Sequence, residues 1–94
     1  MIVAMMRMMR IYRFTDLQDL AEQKDAAVSS LREYPSVCGL ETGIDFERNQ
    51  ISFLIDFETG ADSRLFEHSR ECIHLQRILG SPEYVHAYWR KDHA

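Results

Sequence analysis

Residues 38–57, CGLETGIDFERNQISFLIDF, contain two strand patterns separated by a short polar segment. Within 38–46 and again within 51–57, apolar side chains recur at every second position, which is the period of a strand with one buried face. The polar residues between the two runs suit a hairpin turn. Gly39 and Gly43 weaken the first strand, so they indicate a bulge or the close approach of another group. We therefore predict an antiparallel hairpin whose second strand is central in its sheet.

Amphipathic helices are predicted on both sides of this hairpin. Upstream, Thr15 and Gln18 fit a capping box, and apolar residues then recur at helical spacing until Pro35 ends the helix. Downstream, a second helix is predicted to begin near residues 61–63 and to end at Gly80, a residue suited to a left-handed helix terminus. Each helix has one apolar stripe, so both are expected to pack on the sheet.

The outermost segments, 8–14 and 84–90, also have strand-like patterns. The order β-α-β-β-α-β is typical of the ferredoxin-like α+β fold. We predict a four-stranded antiparallel sheet in the order 4-1-3-2 with two helices on one face, since right-handed crossovers leave few alternatives. This single domain is expected over residues 8–94, with 1–7 as a flexible N-terminal extension.

The predicted core lies where the apolar faces of these elements meet. Those faces have no other partner within a chain of 94 residues. The core is predicted to contain Leu20, Val28, Leu31, Leu40, Ile44, Phe53, Ile55, Phe57, Phe66, Ile73 and Trp89.

Composition restricts the classes of function. The net charge of −4 argues against a general nucleic-acid binder, because neutralising phosphates requires clustered Lys and Arg. No apolar run is long enough to span a bilayer, so no membrane association is predicted and a cytoplasmic location is expected. Cys38 and Cys72 form no CxxC pair, so no metal knuckle or redox motif is predicted, and no metal or other cofactor is expected.

The first strand is locally basic because it contains Arg7, Arg10 and Arg13. Three such side chains can serve an anionic ligand, although a solvated edge or a set of salt-bridge partners is the commoner role. Glu41 and Asp56 are among the acidic residues predicted on the sheet face without helices. Burying that face in a dimer requires these carboxylates to be paired, and Arg10 or Arg13 is the predicted partner.

Tyr84, His86 and Tyr88 alternate on one face of the last strand, about 7 Å apart from one to the next. An imidazole beside phenols can orient and deprotonate a phenolic or enolic substrate. The same three side chains can instead pack on a partner subunit, since Tyr is enriched at interfaces. Both interpretations stay open.

The second helix contains His68 and His74, and the first helix has Lys24 in its apolar stripe. The two histidines are six residues apart, so they cannot share one metal as an i, i+4 pair does. His74 is predicted to face solvent. His68 is at the border of the apolar stripe, where it either reaches a cavity above the sheet or is an ordinary boundary residue. The Lys24 ammonium either extends to water or points into a pocket.

Three stretches carry a resemblance to a known group of proteins. Residues 33–37, EYPSV, resemble the step into the second strand of the dimeric α/β-barrel superfamily, which includes antibiotic-biosynthesis-monooxygenase-like and stress-responsive barrel proteins. Residues 57–62, FETGAD, resemble the strand end of that group, and residues 68–74 match its histidine-bearing helix. The resemblance implies a homodimer joined through open sheet faces. Some members oxidise or cyclise polycyclic phenols without a metal or an organic cofactor.

Two functions are consistent with these patterns. The first is a cofactor-independent monooxygenase or cyclase acting on a small aromatic or polyketide-like molecule. Its candidate residues are His68 and His86 for proton transfer, with Tyr12, Lys24, Tyr88 and Trp89 for substrate binding. The alternative is a non-catalytic homodimeric ligand-binding or regulatory module. An enclosed apolar pocket of about 300 Å³ facing a histidine favours the enzyme, whereas a filled core with both histidines in solvent favours the module.

Overall fold

The computed structural model describes the backbone of residues 2–93 and the side chains of residues 5–89. Its strands are β1 (Ile2–Arg13), β2 (Val37–Asp45), β3 (Gln50–Phe57) and β4 (Tyr84–His93). Its helices are α1 (Leu20–Glu33), α2 (Gly60–Phe66) and α3 (Arg70–Leu79). All strand pairs are antiparallel, in the order β2-β3-β1-β4. This is the predicted order read from the other edge, so the ferredoxin-like α+β fold is confirmed.

Alternation along the strands separates the two faces of the sheet. On β1, Met8 and Tyr12 are buried under the helices, together with Phe14 just after the strand and with β3 residues that face the same way. The other face of the sheet has no helix over it in the described part of the chain. Six predicted core residues are buried: Leu20, Leu31, Phe53, Ile55, Phe57 and Phe66. Val28 and Leu40 are partly buried against them.

Three predicted core residues are instead exposed, and for each of them the prediction was wrong. Ile44 is 36% exposed because it lies at the hairpin end of the edge strand β2. Ile73 is 46% exposed on the outer side of α3, and Trp89 is 60% exposed on the other edge strand, β4. Side-chain alternation predicted the correct face for Trp89 but not the extent of the helix layer above it.

The predicted starts of the first strand and first helix need correction. Strand β1 begins at Ile2 rather than at residue 8, because residues 2–7 continue the pairing with β4 instead of forming a flexible extension. Helix α1 begins at Leu20, and its N-cap is Asp19 rather than Thr15. The segment before it is a turn, in which the Asp16 carboxylate accepts a hydrogen bond of 2.9 Å from the backbone N–H of Gln18.

The predicted second helix is divided into α2 and α3. Thr59 caps α2 through a hydrogen bond accepted from the backbone N–H of Asp62. Ser69 begins α3: its hydroxyl accepts from the backbone N–H of Cys72 at 3.1 Å and donates to the Phe66 carbonyl at 2.6 Å. Residues 67–69 therefore form a turn above the sheet, and Gly80 ends α3 in a positive-φ conformation.

The helix layer does not cover the whole sheet. Helix α2 contacts β1 and β3, α1 contacts β2, and α1 packs along α3. On β4, the helix-side residues Val85, Ala87 and Trp89 remain exposed. No helix in the described residues is long and apolar enough to cross a membrane.

Candidate functional site

Arg10 lies at the centre of the helix side of the sheet and is completely buried. Its guanidinium donates a hydrogen bond from Nε to the Tyr12 hydroxyl at 2.6 Å. Nη1 donates to the Glu67 carboxylate at 2.6 Å and to the Met8 sulfur at 3.5 Å. Strand alternation explains this position, since Arg10 occurs between apolar residues that face the helices. The turn between α2 and α3 brings Glu67 to it.

The surroundings of Arg10 keep its positive charge. Burial lowers the pKa of Arg10, but the Tyr12 hydroxyl and the Glu67 carboxylate together raise it by more than burial lowers it. The pKa of Arg10 is therefore above its ordinary value. The Arg10 Cζ atom also lies 5.7 Å from the ring centres of both Tyr12 and Phe66, a distance typical of cation–π contact. Burial raises the pKa of Tyr12 despite the opposing effect of Arg10, so the phenol stays protonated. The core thus contains a permanent cation.

The uncovered part of β4 lies next to this cation. Val85 is the β4 partner of Arg10 in the sheet, and Trp89 is the partner of Met6. The Trp89 ring packs against the start of α2, where a Cβ on Gly60 would lie only 2.9 Å from the indole. We call Arg10, Glu67, Val85, Ala87 and Trp89 the helix-side site. It combines an accessible apolar strand face with a buried charge.

On the opposite face, Tyr84, His86 and Tyr88 form a continuous row along β4. The His86 and Tyr88 rings stack with centroids 5.6 Å apart, and the Tyr84 and His86 centroids are 6.2 Å apart. All three side chains are exposed. We call this the open face, and the three rings share it as the sequence predicts.

Arg7 and Asp56 form a bidentate ion pair on the open face, with contacts of 2.7 and 3.0 Å. Their side chains are only 16% and 12% exposed. The hydrogen bond to Asp56 is the main reason that the pKa of Arg7 is raised. Gly39 provides the space, because a Cβ there would lie 2.7 Å from the Asp56 carboxylate. The β-bulge between Val37 and Gly39 confirms the interpretation of this glycine.

The predicted partners of Asp56 were therefore wrong. Arg10 lies on the other face of β1, and Arg13 binds Glu83 at 2.7 Å. Asp45, another acidic residue of the open face, binds Arg48 at 2.9 Å in the hairpin.

The structure does not bring the six predicted site residues together. His68 is exposed in the turn between α2 and α3, whereas His86 is exposed on the open face, so the sheet separates them. Trp89 and Tyr88 also lie on opposite faces. Tyr12 is buried beside Arg10, and Lys24 is half-buried on α1.

Arg10 and Glu67 were missed as site residues. The available signal was the alternation of Met8, Arg10, Tyr12 and Phe14, which places a charge in an otherwise apolar series. No sequence signal indicates that Glu67 pairs with Arg10, because the pairing depends on the helix break.

Two surface grooves lie away from these residues. One, of about 620 Å³, runs between α1 and α3 and is lined mainly by charged side chains, with His74 exposed as predicted. The other, of about 250 Å³, is at the start of β2 beside Cys38. Both grooves are open to solvent. Within the described residues, no group of three or more His, Cys, Asp and Glu side chains is placed to hold a metal ion.

Solved structures with a similar fold include three whose descriptions read "putative antibiotic biosynthesis monooxygenase". One from Bordetella bronchiseptica, described as a "putative antibiotic biosynthesis monooxygenase", superimposes with a TM-score of 0.73 at 15% identity, over 90% of this chain and 95% of that chain. A protein of the same description from Chloroflexus aurantiacus gives 0.66 at 11% identity, over 89% and 90%. The chain has the fold of these proteins. A third, from Bacteriodes thetaiotaomicron, gives 0.57 at 20% identity, over 89% and 84%.

These comparisons support the fold that the sequence resemblance implies. No protein-family model matches the chain. No curated protein matches it either. At identities this low, the likeness shows a shared architecture, and function has to be argued from the site.

Proposed function

We propose that this protein is a homodimer that binds a small aromatic or polyketide-like molecule at the helix-side site and acts on it as a cofactor-independent monooxygenase or cyclase. The observation that carries this proposal is Arg10, a completely buried guanidinium beside an exposed apolar strand face. Burying a charge costs free energy of desolvation, so we infer that Arg10 is kept in this small core for a function rather than for stability.

The chemistry of phenols and enols suits such a charge. Loss of a proton from the substrate hydroxyl creates an oxyanion, which a preorganised cation in a water-poor site stabilises strongly. Arg10 would pair with this anion, and Trp89 would contact the rings of the substrate. His68, exposed in the turn beside Glu67, is the proposed proton acceptor. In the monooxygenase case, dioxygen would convert a ring CH₂ into a carbonyl, with the second oxygen atom leaving as water.

Native mass spectrometry of protein purified from its source would test this proposal. We expect a retained aromatic molecule, which should be lost from the variant Trp89→Ala. Phe46→Ala is the matched control, because Phe46 is a similarly exposed aromatic at the distant hairpin. Absence of any ligand, together with an unchanged phenotype in His68→Ala, would exclude the enzyme.

The proposed dimer joins two copies through the open face. Met9, Ile11 and Leu54 are half-buried there beside the row of rings on β4. The ion pair between Arg7 and Asp56 removes part of the objection to burying this face, because neither of these two charges would be left without a partner. Glu41, on the edge strand β2, is exposed. In this arrangement His86 and Tyr88 would contact the second copy instead of the substrate.

A non-catalytic dimeric binding module is the second candidate. The separation of His68 and His86 by the sheet favours it, because the two predicted proton-transfer residues cannot act on one molecule within one chain. The core around Tyr12 and Phe53 is packed, and His68 and His86 are both exposed, which is the arrangement expected for the module. A ligand that leaves the purified protein chemically unchanged after aerobic incubation would support the module over the enzyme.

A further inference from the structure

The two ends of the Arg10–Glu67 ion pair differ greatly in exposure. The Arg10 side chain is 1% exposed and the Glu67 side chain is 39% exposed. Arg10 is fixed in the middle of β1, whereas Glu67 belongs to the turn between α2 and α3. A carboxylate in this position can rotate to water, but the guanidinium cannot follow it.

In the described part of the chain, the groups that contact Arg10 other than Glu67 are uncharged. The Tyr12 hydroxyl, the Met8 sulfur and the Phe66 ring surround the guanidinium. The charge of Arg10 is therefore balanced by Glu67. If Glu67 leaves, a buried cation without an anion is strongly unfavourable unless a new anion replaces it.

The turn can release Glu67 without unfolding either neighbouring helix. The Ser69 side chain is bonded to the end of α2 and to the start of α3, so both helix ends stay satisfied. Glu67 and His68 are exposed. Rotation of the Glu67 side chain would remove the charged neighbour of the guanidinium, on the same side of the sheet as the apolar strip of β4.

We propose that Glu67 is a displaceable stand-in for the ligand, and that the helix-side site accepts an aromatic carboxylate or enolate and excludes its neutral analogue. This inference rests on the proposed function for the location of the site. Glu67 competes with the ligand anion for Arg10, so it lowers the affinity of the site for anions. Because only an anion can replace Glu67 beside Arg10, the ligand must carry a negative charge. A neutral ligand leaves the Arg10–Glu67 pair intact and has no access to the guanidinium.

Isothermal titration calorimetry with 1-naphthoate and 1-naphthamide would test this inference, because the two probes differ mainly in charge. We expect Glu67→Gln to bind 1-naphthoate at least 10-fold more tightly than the unmodified protein does. Binding of 1-naphthamide should be weak in both proteins and unchanged by the substitution. Glu47→Gln is the matched control, because Glu47 is an exposed glutamate in the hairpin, away from the helix-side site.

A second variant keeps the test decisive if Glu67→Gln is unstable. Glu67→Asp retains the charge but shortens its reach, so an intermediate gain for 1-naphthoate is expected. Three results would each overturn the inference. They are equal affinity of the unmodified protein and Glu67→Gln for 1-naphthoate, an equal gain in affinity for 1-naphthamide, and no binding of 1-naphthoate to any variant. Charge-selective naphthoate binding, with no ligand retained from the source and an unchanged phenotype in His68→Ala, would overturn the proposed function alone. A neutral natural ligand with no response to Glu67→Gln would overturn the inference alone.

Discussion

Arg7 and Arg10 lie on the same strand but serve opposite faces of the sheet. Arg7 pairs on the open face with Asp56 of the adjacent strand β3, and the two side chains have similar exposure. Arg10 pairs on the helix side with Glu67 of a turn, and the exposure of the two side chains is very unequal. The first pair is part of the sheet itself, whereas the second depends on a segment outside regular structure.

This difference separates the two roles proposed for the molecule. A fixed, neutralised pair suits a face that a second copy covers permanently, because no charge has to move. A pair with one exposed member suits a site that a ligand enters and leaves.

Arg10→Ala should cause the largest loss of stability. The substitution leaves a cavity in the core, and large-to-small substitutions at buried positions cost about 2–5 kcal/mol. Arg13→Ala is the control on the same strand, because its ion pair with Glu83 is exposed and should contribute no more than about 1 kcal/mol. Urea denaturation followed by circular dichroism measures both values. Similar losses in the two variants would contradict the buried position of Arg10.

Leu54→Arg should dissociate the dimer while leaving the fold intact. Leu54 is half-buried on the central strand β3 and faces the proposed interface, where a new charge would be desolvated. We expect the dimer dissociation constant to rise at least 100-fold, or about 2.7 kcal/mol. Light scattering over a concentration series measures this change. Leu65→Arg on α2 is the control, since Leu65 is exposed on the helix layer. A monomeric unmodified protein would refute the interface.

Much of the fold could be predicted because strand and helix periods are strong signals. The alternation within residues 51–57 identified β3, and Gly39 was correctly interpreted as a bulge or close approach. The break between α2 and α3 could not be predicted, because the inward-facing positions continue at helical spacing from Phe66 past Ser69 to Cys72. Its capping bonds to both helices become visible only in three dimensions.

The candidate site was less predictable for a related reason. Alternation assigns a residue to a face, but it does not show how far the helix layer extends over that face. Trp89 was consequently placed in the core, and His68 and His86 were combined in one site although the sheet separates them. Arg10 was grouped with Arg7 and Arg13 as a basic strand, because charged side chains are usually exposed.

Gly39→Ala should destabilise the open-face pair between Arg7 and Asp56. Its new Cβ would lie 2.7 Å from the Asp56 carboxylate, so the ion pair must shift. Overpacking of this kind costs about 1–3 kcal/mol. Gly43→Ala on the same strand is the control, because its Cβ would meet only the Ser52 hydroxyl at 3.0 Å, which can rotate away. Thermal denaturation should show a clear loss for the first variant and little change for the second. Equal effects would mean that the carboxylate is not confined.

We expect the smallest change in stability from a substitution at the junction between the sheet and α2, away from both arginine ion pairs. The Asp62 carboxylate accepts hydrogen bonds of 2.8 Å from the hydroxyls of Thr59 and Ser36. These bonds, that of Thr59 first, lower the pKa of Asp62 below its ordinary value of 3.8. A carboxyl with a lowered folded-state pKa stabilises the protein above its unfolded-state pKa, and that contribution disappears as the pH falls through the folded-state value. Asp62→Asn should therefore be slightly less stable than the unmodified protein near neutral pH. The difference in free energy of unfolding should shrink as the pH falls below 3.8, the ordinary pKa of the carboxyl. Urea denaturation across this acid range measures it. A difference that stays constant with pH would show that the charge of Asp62 contributes nothing and that only the shape of the side chain matters.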